Sequence, residues 1–183
     1  MGFEIEAKLK VESLDEIGRR LLHAGASFVD ELVQFDRYFD YADGRLTKAD
    51  SCIRLRRQSA ATGCTVLLTY KGPKRTDRFK TRLEVETAVG DETAAAALLS
   101  ALGLGQRLCF LKKRKLWRIL RCSVALDELP LVGSFVEIEG PDSARVAEVR
   151  DVLELGGYSH VPRSYASMVE DVVGSGGKGD DEA

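Results

Sequence analysis

Along five segments of this chain, charged or polar residues take every second position and apolar residues fill the positions between. Glu4, Glu6 and Lys8 alternate with Phe3, Ile5, Ala7 and Leu9, and Arg54 and Arg56 alternate with Ile53 and Leu55. Thr69 and Lys71 stand against Leu68 and Tyr70; Arg82, Glu84 and Glu86 against Leu83 and Val85; Glu137 and Glu139 against Val136 and Ile138. A period of two puts the charges of a strand on one face, so each segment reads as a strand with a charged side and an apolar side. One such strand is ordinarily a solvated sheet face. Five of them, beside amphipathic helices that need an apolar partner, read differently. If the helices pack on the apolar face, the charged face is the concave one, and acids and bases line a common cavity. Buried ionised groups cost several kcal/mol each unless they are paired or hold a ligand.

The helices have clear signals. Ser13-Leu14-Asp15-Glu16 is a capping box, followed by an apolar stripe of Leu14, Ile17, Leu21 and Leu22 and a stop at Gly25. Asp91 caps an Ala/Leu helix that stops near Gly103 or Gly105, a third helix spans roughly Ser143–Leu155, and Tyr165–Val173 is a short fourth. Strand patterns occupy Phe28–Val33, Gln34–Asp40, Cys52–Arg57, Cys64–Lys71, Arg107–Leu120, Cys122–Asp127 and Ser134–Glu139. The chain thus repeats one scheme twice: charged strand, capped helix, antiparallel strands. Many strands without regular βαβ alternation indicate an antiparallel α+β fold. Residues 1–173 read as a single domain, and the Gly-rich acidic stretch 174–183 as a disordered tail.

Composition narrows the function. The 27 Lys and Arg nearly balance 29 Asp and Glu, so no net field draws the chain to nucleic acid or to an anionic membrane. Neither a signal peptide nor a run of apolar residues long enough to span a bilayer is present, which points to the cytoplasm. Cys52, Cys64, Cys109 and Cys122 lack zinc or redox spacing and read as free thiols. His23 and His160 lack metal-ligand spacing, and two scattered histidines make no hydrolase triad. A GxxxxGK[ST] phosphate loop is also missing. What remains is a lining in which Arg and Lys grip phosphate oxygens and carboxylates hold a hard cation, Mg²⁺ or Mn²⁺.

Several motifs, in order, resemble the CYTH superfamily, which unites class IV adenylyl cyclases with thiamine and inorganic triphosphatases. Glu4-Ile5-Glu6-Ala7-Lys8 is similar to its ExExK signature, Gln34-Phe35-Asp36-Arg37-Tyr38-Phe39 to its QxDxYF strand and Ile53-Arg54-Leu55-Arg56 to its RxR strand. Leu68–Pro73 reads LTYKGP, and Lys80–Glu86 matches KxRxExE. Lys112-Lys113-Arg114 with Trp117 resembles the KxR strand and turns Lys112 and Arg114 inward, a phase that alternation alone leaves open. Leu126-Asp127-Glu128, Gly133–Gly140 and Ser164-Tyr165 complete the series, with Arg163 standing where the late element carries a lysine. The LTYKGP and GSFVEIEG forms are closest to the class IV cyclase-like branch. The resemblance implies a closed antiparallel β-barrel, a triphosphate tunnel, flanked by α-helices.

The expected site follows. Lys8, Arg54, Arg56, Lys71, Arg82, Lys112 and Arg114 would bind the phosphates, and Glu4, Glu6, Glu84, Glu86, Asp127, Glu137 and Glu139 would hold Mg²⁺ or Mn²⁺. Glu4, Glu6 and Lys8 are the candidate catalytic groups. The expected reaction is metal-dependent hydrolysis of a phosphoanhydride in tripolyphosphate, thiamine triphosphate or a nucleoside triphosphate. The alternatives are cyclisation of ATP to cyclic AMP and pyrophosphate, and a non-catalytic polyphosphate-binding module. The apolar outer face leaves room for a homodimer.

Overall fold

A computed structural model describes residues 2–75 and 80–176 of the chain, with the side chains of residues 5–74 and 81–174. Eight strands form a closed barrel in the order β1-β5-β4-β3-β2-β6-β7-β8. They are β1 (Gly2–Val11), β2 (Ser27–Tyr41), β3 (Cys52–Ala60), β4 (Gly63–Arg75), β5 (Lys80–Val89), β6 (Leu104–Ile119), β7 (Cys122–Leu129) and β8 (Gly133–Gly140). β1 pairs antiparallel with both β5 and β8 and so closes the ring. Closure satisfies both edges of each strand and gives the alternating side chains a true inside and outside.

The repeated scheme in the sequence corresponds to the topology. Exchanging β1–β4 with β5–β8 returns the same circular order of strands, with the β1·β5 and β2·β6 pairs joining the two halves. The segments 28–33 and 34–40, which read as two strands, form one continuous strand. β2 pairs with β6 along its length, and irregularities between Phe28 and Asp30 and between Tyr38 and Phe39 let this long pair bend with the wall.

Five helices accompany the described strands: α1 (Leu14–His23), α2 (Arg45–Lys48), α3 (Glu92–Ala101), α4 (Ser143–Val152) and α5 (Tyr165–Gly176). Ser13 Oγ accepts from the Glu16 N–H at 3.3 Å, but the Glu16 carboxylate binds Arg20 one turn on, so only one arm of the capping box is made. Asp91 and Asp142 cap α3 and α4 through the Ala94 and Arg145 N–H groups. Ile17 and Leu21 of α1 pack with Val146 and Val149 of α4 over the outer face of β1, β7 and β8. Each such side chain contributes about 1.5–3 kcal/mol by leaving water. Leu22, placed in the same stripe by periodicity, is exposed. α2 has no amphipathic signal and exists because Asp40, at the end of β2, accepts from the Leu46 and Thr47 N–H groups and the Thr47 hydroxyl.

α5 behaves differently from α1 and α4. Its Tyr165 and Val169 pack against Phe110, Leu129 and Phe135, which share the inward phase of Lys112, Asp127 and Glu137. The helix therefore sits over one end of the barrel. It continues through Gly174–Gly176; the rest of the expected disordered tail, 177–183, lies outside the described residues. No described helix is long and apolar enough to cross a membrane.

Gly140 ends β8 where α4 begins to approach. A Cβ there would lie 2.7 Å from Cys122 Sγ and 3.1 Å from Val146 Cγ2, distances a packed wall accommodates only by shifting. Gly140→Ala is expected to lower unfolding stability by about 1–3 kcal/mol. Adding Cys122→Ala removes the nearer atom and restores part of that loss, which urea denaturation of the double-mutant cycle will read as a favourable coupling.

Candidate active site

The barrel encloses a cavity of about 800 Å³. β1 contributes Glu6 and Lys8, β3 Arg54 and Arg56, and β4 Lys71. Arg82, Glu84 and Glu86 come from β5, Lys112 and Arg114 from β6, and Glu137 and Glu139 from β8. Lys113 and Lys115 are exposed, whereas Lys112 is 2% exposed. Glu4 is the register partner of Arg82, and its side chain lies outside those described.

These charges form a network. Asp127, 0% exposed and behind the cavity lining, accepts from Lys112 Nζ at 3.2 Å and from Arg114 Nε and one guanidinium NH₂ at 2.7 and 2.6 Å. The same Arg114 group reaches Glu137, and Glu137 in turn lies 3.2 Å from Lys8 Nζ. Lys8 Nζ also donates to the Arg163 carbonyl and stands 3.8 Å from Glu6. On the opposite wall Arg54 meets Glu86 at 3.4 Å and Glu84 at 3.9 Å, while Lys71 meets Glu84 at 2.9 Å. Thr69, fully buried, donates to Glu86 and accepts from Arg54. Arg82 donates to the carbonyls of Gly72, Asp50 and Lys71, and so holds the irregular turn of β4 between Lys71 and Lys74. Arg163 turns its side chain to Ser167 and Asp171 on α5 and is not itself among the residues lining the cavity.

Three groups without an assigned role in the sequence reading prove central. Asp36 grips Arg56 through both carboxylate oxygens, at 2.5 and 2.7 Å. Burial alone would raise its pKa, but Arg56, with Arg54 and Lys112 nearby, outweighs that and holds the carboxyl below the usual carboxylate range. The Asp of the Gln34–Phe39 motif was the available signal. Tyr165 places its ring under two ammonium groups, Lys8 at 4.0 Å and Lys112 at 4.8 Å from its centroid. Burial, then the neighbouring Arg114 charge, pushes Lys112 down to about 7, with Asp127 opposing. Gln34, 2% exposed, donates its amide to Gln58 Oε1 at 3.1 Å. Gln34 Oε1 and Arg54 Nε are sealed from solvent and have no hydrogen-bond partner among the described residues.

The inward donors are carboxylate oxygens without histidine or cysteine, a set suited to Mg²⁺ or Mn²⁺. Glu6 and Glu139 are direct partners across β1 and β8, so two carboxylates lie side by side on the inner face. Among the described residues no three acidic, histidine or cysteine side chains converge as a ready-made ion site.

The sequence profile of the CYTH domain matches residues 2–165. The chain belongs to the CYTH domain family. A Methanocaldococcus jannaschii protein named as a candidate adenylate cyclase is 26% identical over 136 residues, 74% of this chain and 75% of that protein. The CYTH barrel seen here is also that of PH1819 from Pyrococcus horikoshii, at a TM-score of 0.79 and 28% identity over 92% of this chain and 99% of that one. HpAC1 of Hippeastrum, a candidate adenylyl cyclase whose structure is described as revealing a dominant triphosphatase activity, shares the fold. Its TM-score is 0.71 at 19% identity, over 93% of this chain and 96% of that one.

Asp36→Asn removes one partner of a buried charge pair and leaves Arg56 beside Arg54 and Lys112. The expected loss is about 3–5 kcal/mol in denaturant unfolding. The folded carboxyl titrates below its ordinary 3.8, so the stabilisation is full above that pH and is lost as pH falls through the lower folded value. The gap between wild type and variant is therefore expected to narrow on acidification, as unfolding curves at successive pH values will test.

Proposed function

We propose that this CYTH domain protein is a divalent-metal-dependent enzyme that binds a triphosphate in its tunnel and hydrolyses a phosphoanhydride bond. The observation carrying the reading is the concentration of Lys8, Arg54, Arg56, Lys71, Lys112 and Arg114 in one enclosed cavity that also receives Glu6, Glu84, Glu86, Glu137 and Glu139. An anion binder needs the first set alone. A site for a metal-bound polyanion needs both.

Arg54, whose Nε is sealed without a partner, and Arg56, oriented by Asp36, present guanidinium groups to phosphate oxygens. Lys8 and Lys112, supported on the Tyr165 ring, supply charge from the side of α5. Lys71 completes the basic wall. Arg82 lines the same cavity while its Nε and one guanidinium NH₂ hold the backbone at three carbonyls, which leaves the other NH₂ for phosphate. Asp127 likewise orients Lys112 and Arg114 from behind.

Glu6 and Glu139, with Glu137 adjacent, would hold the metal; Glu84 and Glu86 border it, and Glu4 belongs to the same strand face. When bound, Mg²⁺ or Mn²⁺ offsets phosphoryl charge and acidifies water. Glu6 accepts a proton from the attacking water, and the cation wall stabilises the charge that develops on the transferring phosphoryl oxygens. The triphosphatase activity described for HpAC1 agrees with this reading.

Cyclisation of ATP is the second reading, favoured by the Methanocaldococcus relative's name. Turnover of tripolyphosphate and ATP with Mg²⁺ or Mn²⁺, resolved by phosphorus NMR, separates the two. Orthophosphate without cyclic AMP is expected, and cyclic AMP with equimolar pyrophosphate would replace hydrolysis by cyclisation. Glu6→Gln is expected to reduce kcat by at least about 10²-fold with little change in unfolding midpoint. Retained turnover in that variant would remove Glu6 from the chemistry.

A further inference from the structure

The segment that leads into α5 is built around Lys8. The Val161 N–H donates to the Lys8 carbonyl at 2.8 Å, Leu9 and His160 form an antiparallel bridge, and Lys8 Nζ donates to the Arg163 carbonyl at 3.1 Å. The first residue of α5, Tyr165, is 7% exposed and places its ring centroid 4.0 Å from the same Nζ. Lys112 Nζ lies 4.8 Å from that centroid. Lys8 and Lys112 stand on β1 and β6, with β8 and β7 between them. No direct strand pairing therefore fixes the spacing of their ammonium groups. Tyr165 touches both.

A carboxylate balances each lysine: Glu137 lies 3.2 Å from Lys8 Nζ, and Asp127 lies 3.2 Å from Lys112 Nζ. A third carboxylate between the two would cancel the positive charge they offer to a phosphate. An aromatic ring attracts both cations through the negative potential of its face and carries no net charge itself. The ring is also held in place. Phe135 meets it edge-on, with centroids 5.2 Å apart and planes at 70°, and Val169, one turn along α5, packs in the same cluster. The Tyr165 hydroxyl is sealed from solvent, so the ring is the part of this side chain that serves the lysines.

We infer that Tyr165 is a positioning residue for phosphate binding: its ring holds Lys8 and Lys112 as one paired cation site, and α5 carries it there. The inference rests on the triphosphate reading above and adds to it the group that makes lysines from two separate strands act together. Tyr165 acts through the lysines and not on the phosphate.

The test replaces Tyr165, in the full chain, by phenylalanine and by a ring-trifluorinated phenylalanine. The two differ little in size and much in the potential of the ring face, so packing on Phe135 is kept, and thermal midpoints check this. Values of kcat and KM are measured with Mg²⁺ for tripolyphosphate and for ATP. Relative to Tyr165→Phe, fluorination is expected to lower kcat/KM at least about tenfold for whichever substrate is consumed, through a rise in KM with kcat little changed. Val169→Ala, which loosens the same helix and leaves the ring intact, is expected to keep KM within about twofold of wild type. Equal kcat/KM in the two ring variants, or a fall confined to kcat, overturns the positioning role. So does a rise in KM for Val169→Ala as large as that caused by fluorination. Loss of consumption in Tyr165→Phe itself overturns it too, by placing the role in the hydroxyl. Each of these leaves the triphosphate reading standing, whereas consumption of neither substrate by wild type overturns that reading and the inference with it.

Discussion

Asp127 is sealed from solvent, and its two oxygens bind Lys112 and Arg114. Arg114 passes on to Glu137, and Glu137 to Lys8. This chain of opposed charges crosses β6, β7, β8 and β1, and the rest of the molecule is arranged around keeping it intact. A buried ion stripped of its partner costs several kcal/mol, so each group in the row depends on its neighbour's strand being in register. A one-residue slip would turn every one of these side chains to the apolar outside. Register and electrostatics therefore specify each other here.

The outer wall meets the complementary demand. Leu9, Val124, Val136 and Ile138 face outward and are fully covered or nearly so by α1 and α4. Those helices seal the apolar side, and this leaves the charged side as the interior. The strand order, which maps onto itself when the halves are exchanged, shows that the two charged alternating strands β1 and β5 lie side by side. α5 breaks the symmetry. By packing on Phe110, Leu129 and Phe135 it covers one end of the barrel, and it brings Tyr165 beneath two lysines.

A cavity of this construction is primed by its own counterions. Carboxylates and bases pair with one another across the cavity, so neither set is buried without a partner of opposite charge.

Much of this was legible in the residues. Alternation fixed which strands have a charged face, the caps at Ser13 and Asp91 marked helix starts, and the ordered motifs pointed to a CYTH barrel. These are local properties, set by backbone period and by hydrogen bonds within a few residues. Ring closure was implied by the ordered motifs and not by alternation, while the unbroken β2, the short α2 held by Asp40 and the placement of α5 were not legible, because each depends on groups meeting across many residues of chain. The same holds within the site. Sequence alone told that Arg56, Lys112 and Arg82 face inward with the acids. Only the tertiary structure decided that Asp36 anchors the first, that Asp127 lies behind the second, and that backbone carbonyls take up the third. The physical reason is that parity determines the face a side chain occupies, while its partner is chosen by the strand that the closed barrel brings alongside.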